Sequence, residues 1–215
     1  MKTQTILAAA TLLIAAGGAQ ASALVTNGSF ENPGVASWGI QSSILGWTGG
    51  AYGIEIQPNG TLGGVSAFDG NQYVELDTTA NSSMWQDLST TASNTYTLSF
   101  AYMPRPDNAG GSLSNMIEVF WGGSKLGTVT GKSKLGPWLE VEFANLAALT
   151  PSTRLEFRAA GTSDSYGGFI DGVVVTAVPE PESYAMLLAG LGLIGVIARR
   201  RGKPILARSM SGSVT

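Results

Sequence analysis

The 215-residue sequence contains neither cysteine nor histidine. Without histidine, the chain cannot form a Ser-His-Asp or Cys-His catalytic centre, a histidine-ligated zinc site or any acid–base group of the imidazole type. Without cysteine it forms no disulfides, so packing must stabilise the folded state. The central part, residues 24–177, is long enough for one domain with a hydrophobic core.

Carboxylates are the catalytic groups that remain. A glycoside hydrolase needs two of them on either side of the sugar, about 5 to 9.5 Å apart. Glu75 and Asp77 alternate on one predicted strand, and Glu140 and Glu142 alternate on another, so each pair would share a face. On an antiparallel sheet such a pair usually faces solvent. We therefore expect a protein that is not an enzyme, with a carboxylate-based glycosidase or lyase as the alternative.

Basic side chains are scarce in the centre of the chain. Residues 24–178 carry 13 acidic and six basic side chains, and therefore a net charge of −7. A nucleic-acid-binding protein needs a basic face that displaces the counterions of the phosphate backbone. We expect no nucleic-acid partner.

The amino terminus has the pattern of a secretory signal peptide. Lys2 supplies a positive start, residues 6–16 form an apolar stretch, and Ala21, Ser22 and Ala23 form a small-residue cleavage site. We predict a signal peptide over residues 1–23, with cleavage after Ala23 and, as the alternative, after Ala21. The domain that follows is then exported.

The carboxyl terminus contains an apolar run over residues 184–198. Its 15 residues would span about 22 Å as a helix, whereas a bilayer core is about 30 Å thick. Flanking arginines can snorkel and the bilayer can thin, so we predict one transmembrane helix, with a buried core helix as the alternative. Basic residues beyond the run then place residues 202–215 in the cytoplasm. The residues that frame the run are, in order, Pro179, Glu180, Pro181, Arg199, Arg200 and Arg201.

This order of a Pro-Glu-Pro motif, an apolar helix and an arginine cluster over residues 178–201 resembles the PEP-CTERM sorting signal of Gram-negative surface proteins. The resemblance implies that the helix holds an exported protein in the inner membrane until an exosortase cuts near Pro-Glu-Pro. It also implies a final location at the cell surface or outside the cell, and a connection with exopolysaccharide and biofilm matrix. The tail after Arg201 is longer than is usual in that family.

The exported region alternates apolar and polar residues with a period of two. Turn clusters rich in Gly, Asn and Asp separate these segments, and no convincing helix interrupts them. We therefore predict an all-β sandwich over residues 24–177. The clearest predicted strands cover residues 73–77, 95–100, 117–121 and 138–143.

The order of several short motifs resembles the galactose-binding-like jelly roll of many carbohydrate-binding modules. The motifs lie at residues 27–31 (Asn-Gly-Ser-Phe-Glu), 73–76, 85–88 and 169–173 (Phe-Ile-Asp-Gly-Val). In many relatives the first and last strands lie side by side, near a structural calcium ion. The resemblance thus implies that Glu31 and Asp171 could bind calcium. The alternative is that the two carboxylates only cap strand ends.

Sugar binding requires exposed aromatic rings beside polar groups, because a ring covers the apolar face of a pyranose. Trp47, Trp85 and Trp138 match positions that pack the sandwich in the family, and we expect them in the core. The aromatic residues in or next to predicted loops are the candidate ligand-binding residues, namely Trp38, Tyr52, Tyr102 and Trp121, with Tyr166 as a further surface candidate. The loop over residues 104–114 would form a rim.

Taken together, these patterns predict a non-catalytic exported surface or matrix protein that binds exopolysaccharide. A structural biofilm-matrix protein without a defined ligand is the alternative.

Overall fold

The structure is a computed structural model that describes residues 24–62, 64–106, 113–131, 136–179 and 181–201. The predicted signal peptide, the predicted cytoplasmic tail, Glu180 and most of the predicted rim loop lie outside these ranges.

Two six-stranded antiparallel sheets form a sandwich. The first sheet has the order β1-β4-β5-β12-β7-β10 and the second has the order β2-β3-β6-β11-β8-β9. All described strand pairs are antiparallel, which confirms the predicted all-β sandwich. The strands are β1 (Gly39–Gln41), β2 (Ser43–Ile44), β3 (Trp47–Gly49), β4 (Ile54–Pro58), β5 (Gln72–Glu75), β6 (Ser83–Ser89), β7 (Thr95–Met103), β8 (Met116–Trp121), β9 (Ser124–Val129), β10 (Leu139–Ala147), β11 (Ser152–Ala160) and β12 (Phe169–Ala177).

The main hydrophobic core fills the space between the sheets. Alternate residues of each central strand point into it, as Leu98 and Phe100 do on β7. Trp47 lies at its centre, with its ring centroid 5.6 Å from that of Phe30 and 6.1 Å from that of Phe157. The period-two pattern of the sequence therefore follows directly from the burial of one face of each strand.

A second, smaller apolar cluster covers part of the outer face of the first sheet. It contains Val65, Tyr73, Met103 and Phe169, and the half-buried ring of Trp138 packs against it. The Tyr73 ring centroid lies 4.7 Å from that of Phe169 and 5.7 Å from that of Trp138. Because connecting segments pack over this face, its polar side chains are buried as well.

The first described residues run beside the last strand. The N–H of Leu24 donates to the carbonyl of Val175, and the N–H of Val173 donates to the carbonyl of Gly28, both at 2.9 Å. A Cβ at Gly28 would lie 2.0 Å from the Val173 oxygen, so only glycine allows this approach. The beginning and the end of the domain therefore lie side by side, as expected.

The predicted carboxyl-terminal helix forms as α1 (Pro181–Arg201) and follows β12 after two described residues. Proline suits the first helical position, since its missing N–H would have no partner there. In the part of the chain that the structure describes, no helix is both long and apolar enough to cross a membrane. The transmembrane helix predicted from the sequence is thus not confirmed.

The burial of Trp47 leads to a prediction about stability. We expect Trp47→Ala to lower the free energy of unfolding by about 3 to 5 kcal/mol, because it removes a large ring from the centre of the core. The matched control is Trp85→Ala. Its half-buried ring lies on the outer face of the second sheet, 5.1 Å from the guanidinium carbon of Arg154, and we expect a loss of about 1 kcal/mol. Urea denaturation measures both, and equal losses would contradict this assignment of core and surface.

Candidate functional site

Alternation along β4 and β5 places polar side chains on the outer face of the first sheet. Ile54 and Ile56 point into the core, so Glu55 and Gln57 point outward. On β5, Val74 points inward and its neighbour Glu75 outward. All three outward polar side chains are buried. Since a buried charge is costly unless it is paired, their partners determine the local structure.

A buried ion pair joins Glu75 to Arg105. The Nη1 atom of Arg105 lies 3.0 and 3.1 Å from the two carboxylate oxygens and also donates to the carbonyl of Ser165 at 3.0 Å. The N–H of Gly167 donates to Glu75 Oε1 at 2.6 Å. Burial raises the pKa of Glu75 to about 8, whereas the adjacent Arg105 charge opposes this rise.

Glu55 and Gln57 form a second polar pair next to this ion pair. Gln57 Nε2 donates a hydrogen bond to Glu55 Oε1. Burial raises the pKa of Glu55, and the hydrogen bond from Gln57 and the charge of Arg105 oppose the rise. Within the described ranges, Gln57 Oε1 is buried and has no hydrogen-bond partner. A buried acceptor without a donor is unfavourable unless a water or ligand supplies one.

Glu55, Gln57 and Arg105 line an open cleft of about 350 Å³. The ring of Trp38, just before β1, is 56% exposed and forms part of its wall. The ring of Tyr166 is also exposed and lies 4.7 Å from the guanidinium carbon of Arg105, which lines the cleft. The aromatic and polar residues that line the cleft include Trp38, Glu55, Gln57, Thr78, Arg105 and Ser165.

Two of the four predicted ligand-binding aromatic residues are exposed. Trp38 lines the cleft, and Tyr52 is 49% exposed in the turn before β4. The carbonyl of Tyr52 accepts a hydrogen bond from Thr78 Oγ1 at 2.8 Å, and Thr78 lines the cleft. Tyr52 therefore lies beside the cleft but does not line it.

The prediction was wrong for the other two, because Tyr102 and Trp121 are buried. Tyr102 is 1% exposed and donates its hydroxyl hydrogen bond to the Asn115 carbonyl, whereas Trp121 is 5% exposed and its Nε1 donates to the Ala147 carbonyl. Both residues continue the inward alternation of their strands, Tyr102 after Phe100 on β7 and Trp121 at the end of β8. Strand register, and not proximity to a loop, decides their burial.

Of the three tryptophans expected in the core, only Trp47 is fully buried there. Trp138 packs in the smaller cluster, and its Nε1 donates to the Ser66 carbonyl at 2.9 Å. Trp85 is half-buried on the outer face of the second sheet, where the guanidinium of Arg154 covers it. The core expectation was wrong for Trp85, because its neighbour Met84 takes the inward position.

Glu31, one of the two predicted calcium ligands, fixes the connection between β4 and β5. Its Oε1 accepts hydrogen bonds from the backbone N–H groups of Asn71 and Gln72, at 2.8 and 3.0 Å. A Cβ at Gly70 would lie 2.6 Å from the same oxygen, and Gly70 has a φ of +86°. This close approach of a carboxylate to the backbone therefore requires glycine.

Asp171, the other predicted ligand, fixes the same connection at its middle. Its Oδ2 accepts from the N–H groups of Phe68 and Asp69, at 2.8 and 3.0 Å, and its Oδ1 accepts from Gly172 at 2.7 Å. Burial raises the pKa of Asp171 to about 7, although these three N–H groups favour the charged form.

The structure thus brings Glu31 and Asp171 to one loop, where both accept backbone hydrogen bonds. Among the described residues no group of three or more His, Cys, Asp or Glu side chains could hold a metal ion. This geometry fits the alternative that the two carboxylates cap the chain. Calcium at this pair stays a prediction.

The two predicted carboxylate pairs do not face an open cleft. Glu75 and Asp77 are both fully buried, and Glu140 and Glu142 are exposed on β10, at the edge of the first sheet.

Residues 177–201 match the family model described as the PEP-CTERM protein-sorting motif. The chain carries a PEP-CTERM sorting motif. The match covers the predicted segment, residues 178–201, and confirms that resemblance.

A curated relative matches most of the chain. The multifunctional-autoprocessing repeats-in-toxin protein of Vibrio cholerae is 31% identical over 172 residues, which are 78% of this chain and 3% of the toxin. The chain therefore spans only about 3% of the length of the curated relatives it matches.

Solved structures show the fold. The Stig cyclase Fisc from Fischerella sp. TAU has a TM-score of 0.55 at 16% identity, over 74% of this chain and 99% of its own. TmCBM61, solved in complex with β-1,4-galactotriose, has a TM-score of 0.50 at 16% identity, over 73% of this chain and 99% of its own. The predicted jelly-roll sandwich is thus confirmed as a fold that this chain shares with these two proteins.

The Glu75–Arg105 ion pair leads to a prediction about stability. We expect Arg105→Met to lower the free energy of unfolding by about 3 to 5 kcal/mol, since it leaves a buried carboxylate without its cation. The double variant Glu75→Leu, Arg105→Met removes both charges, and we expect a smaller loss than in the single variant. Urea denaturation compares them, and a double variant less stable than Arg105→Met would contradict the pairing.

Proposed function

We propose that this protein is an exported, non-catalytic surface protein whose jelly roll binds carbohydrate in the cleft beside Trp38. The PEP-CTERM motif supports the sorting part of this proposal, and a fold shared with carbohydrate-binding modules supports the binding part. A shared fold alone does not assign a ligand. The proposal therefore depends on the groups in the cleft.

The exposed ring of Trp38 beside buried polar groups is the observation that carries the proposal. A tryptophan ring can stack on the apolar face of a pyranose, and nearby donors and acceptors can then bind its hydroxyl groups. Gln57 Oε1 is a buried acceptor without a partner in the described structure, and a sugar hydroxyl would supply the missing donor. Thr78 and Arg105 add polar groups to the same cleft.

The charges of the cleft favour a neutral sugar over an anionic one. Arg105 is the cation there, and its guanidinium is already bonded to the carboxylate of Glu75. Glu55 adds a carboxyl group to the cleft wall. A uronic acid or sulfated sugar would bring a further negative charge next to these two, whereas a neutral hexose would not. We expect neutral segments of an exopolysaccharide as ligand.

The proposed route to the surface begins with the signal peptide over residues 1–23. The segment over residues 178–201 then anchors the exported protein in the inner membrane, with residues 202–215 in the cytoplasm. An exosortase-type protease cuts near Pro-Glu-Pro and releases the domain to the cell surface or biofilm matrix. A structural matrix protein without a ligand would follow the same route, so only a binding measurement separates the two functions.

The binding part is tested with Trp38→Ala. Stacking of a pyranose on an aromatic ring contributes roughly 1 to 2 kcal/mol by analogy with aromatic pairs, so we expect affinity for a retained polysaccharide to fall about tenfold. Affinity electrophoresis against neutral and acidic exopolysaccharides measures the effect. Trp85→Ala is the matched control, because its ring lies on the outer face of the other sheet.

Three results would count against carbohydrate binding in this cleft. No retardation of the intact protein by any polysaccharide would favour the structural-matrix function. Equal retention of the Trp38→Ala variant and the intact protein would exclude the cleft as the site. Loss of retention in the Trp85→Ala variant alone would move the site to the second sheet.

The sorting part is tested by replacing Pro179, Glu180 and Pro181 with alanine. We expect the altered protein to stay uncut in the inner membrane, because the helix and the arginine cluster persist while the recognition motif is lost. Membrane fractionation and the apparent size on gels measure this. Release of this variant at the normal size would refute sorting through this motif. The control is Asp87→Asn, a surface change far from the motif in the sequence, which should be sorted normally.

A further inference from the structure

Buried oxygen atoms without hydrogen-bond partners gather at one place in the described structure. These atoms are Asp77 Oδ1, Asn81 Oδ1 and Asp164 Oδ1. Buried polar atoms in folded proteins are nearly always paired, so several unpaired oxygens in one region indicate an absent water or ion. Asp77 is the most enclosed of them, with 0% of its surface exposed.

The fold brings these residues together from two connections. Asp77 follows β5 and forms an isolated antiparallel bridge with Asn81, which precedes β6. Asp164 lies between β11 and β12. The backbone N–H of Asn81 donates to Ser163 Oγ at 2.9 Å, so the two connections are in direct contact.

Hydrogen bonds fix which oxygen of each side chain stays unpaired. Asp77 Oδ2 accepts from the N–H groups of Asp164 and Ser165, at 3.0 and 3.1 Å. Asp164 Oδ2 accepts from Ser114 Oγ at 2.7 Å. Asn81 Nδ2 donates to the Gly161 carbonyl at 3.1 Å, so its oxygen is the atom left over.

Asp77 and Asp164 are in direct contact, since the backbone N–H of Asp164 donates to the Asp77 carboxylate. Two buried carboxyl groups that lie close together require either a proton or a cation between them. Neither side chain forms an ion pair with a described basic residue. The guanidinium of Arg105, which also donates to the Ser165 carbonyl, is bonded to Glu75.

We propose that Asp77, Asn81 and Asp164 form a calcium site. Calcium binds carboxylate and amide oxygens and accepts six to eight of them in flexible geometry, so backbone carbonyls of the two connections and water can complete its shell. The site differs from the Glu31 and Asp171 pair, because one oxygen of each of its three side chains is buried without a donor, whereas no oxygen of Glu31 or Asp171 is among the buried unpaired atoms of the described residues. Its existence does not depend on carbohydrate binding.

A calcium ion here would stiffen one wall of the cleft. It would join the connection between β5 and β6 to the connection that carries Ser165 and Tyr166. Ser165 lines the cleft, and so does Thr78, which follows Asp77 directly. Calcium would therefore hold cleft residues in place without contacting the ligand.

The test is a calcium titration of the full chain, measured by isothermal titration calorimetry and by thermal melting with calcium or a chelator. We expect binding in the range of about 0.1 to 1 mM that is typical of extracellular calcium modules, and a higher melting temperature with calcium than with chelator. The variant Asp164→Asn keeps the side-chain shape and removes one charge. We expect it to bind calcium at least about tenfold more weakly and to lose most of the melting shift.

Two controls separate this site from other carboxylates. Asp87→Asn changes an exposed aspartate that pairs with Arg154, and it should bind calcium as the unaltered protein does. Asp171→Asn changes the other predicted calcium site, so it shows which of the two sites gives the calorimetric response. A response that persists in Asp164→Asn and disappears in Asp171→Asn would overturn the proposal.

The absence of any calcium response in the unaltered protein would also overturn it, because a shared proton would then account for the paired carboxyls. If Asp77→Asn fails to fold, Asn81→Ala and Asp164→Asn still decide the matter. Carbohydrate retention is measured separately on the same variants, so failure of the calcium site and failure of the binding cleft give different results.

Discussion

The cleft depends on the pairing of one buried carboxylate with one guanidinium. Glu75 lies in the middle of the first sheet, on a face that connecting segments close off from water, and there its charge requires a partner. Arg105 supplies it from just beyond the end of β7. The same guanidinium binds the Ser165 carbonyl and lies against the Tyr166 ring. One cation therefore sets the relative positions of β5, the end of β7 and the connection before β12.

In this domain, buried carboxylates hold the long connections in place, as disulfides do in many exported proteins. Glu31 and Asp171 hold the long connection between β4 and β5, and Asp77 holds the connection between β11 and β12, in each case by accepting backbone N–H groups. Hydrogen bonds from N–H groups to a charged acceptor are stronger than those to a neutral one. A chain without cysteine can in this way keep long surface connections in one conformation, at the cost of burying several acidic side chains.

Much of the fold could be predicted from the sequence, because strand alternation and turn residues are local signals. The site could be predicted only in part. The exposure of Trp38 was expected from its place in or next to a predicted loop, whereas Tyr102 and Trp121 were misplaced because inward register outweighs nearness to a loop. Arg105 was missed, although it is the only basic residue between positions 24 and 124. A lone cation among many acids is a usable signal for a buried pair, but its partner depends on long-range register that sequence alone does not show.

The place of β12 in the first sheet has a mechanical consequence. This strand leads directly to α1 and lies between β5 and β7, with the first residues of the domain also bonded to it. Tension applied through the carboxyl-terminal segment would pull β12 along its own axis. The hydrogen bonds on both sides of the strand would then be loaded in shear, and all of them at the same time. At a sheet edge, by contrast, such bonds can open one after another. A domain built this way resists extension when force is applied at its carboxyl end.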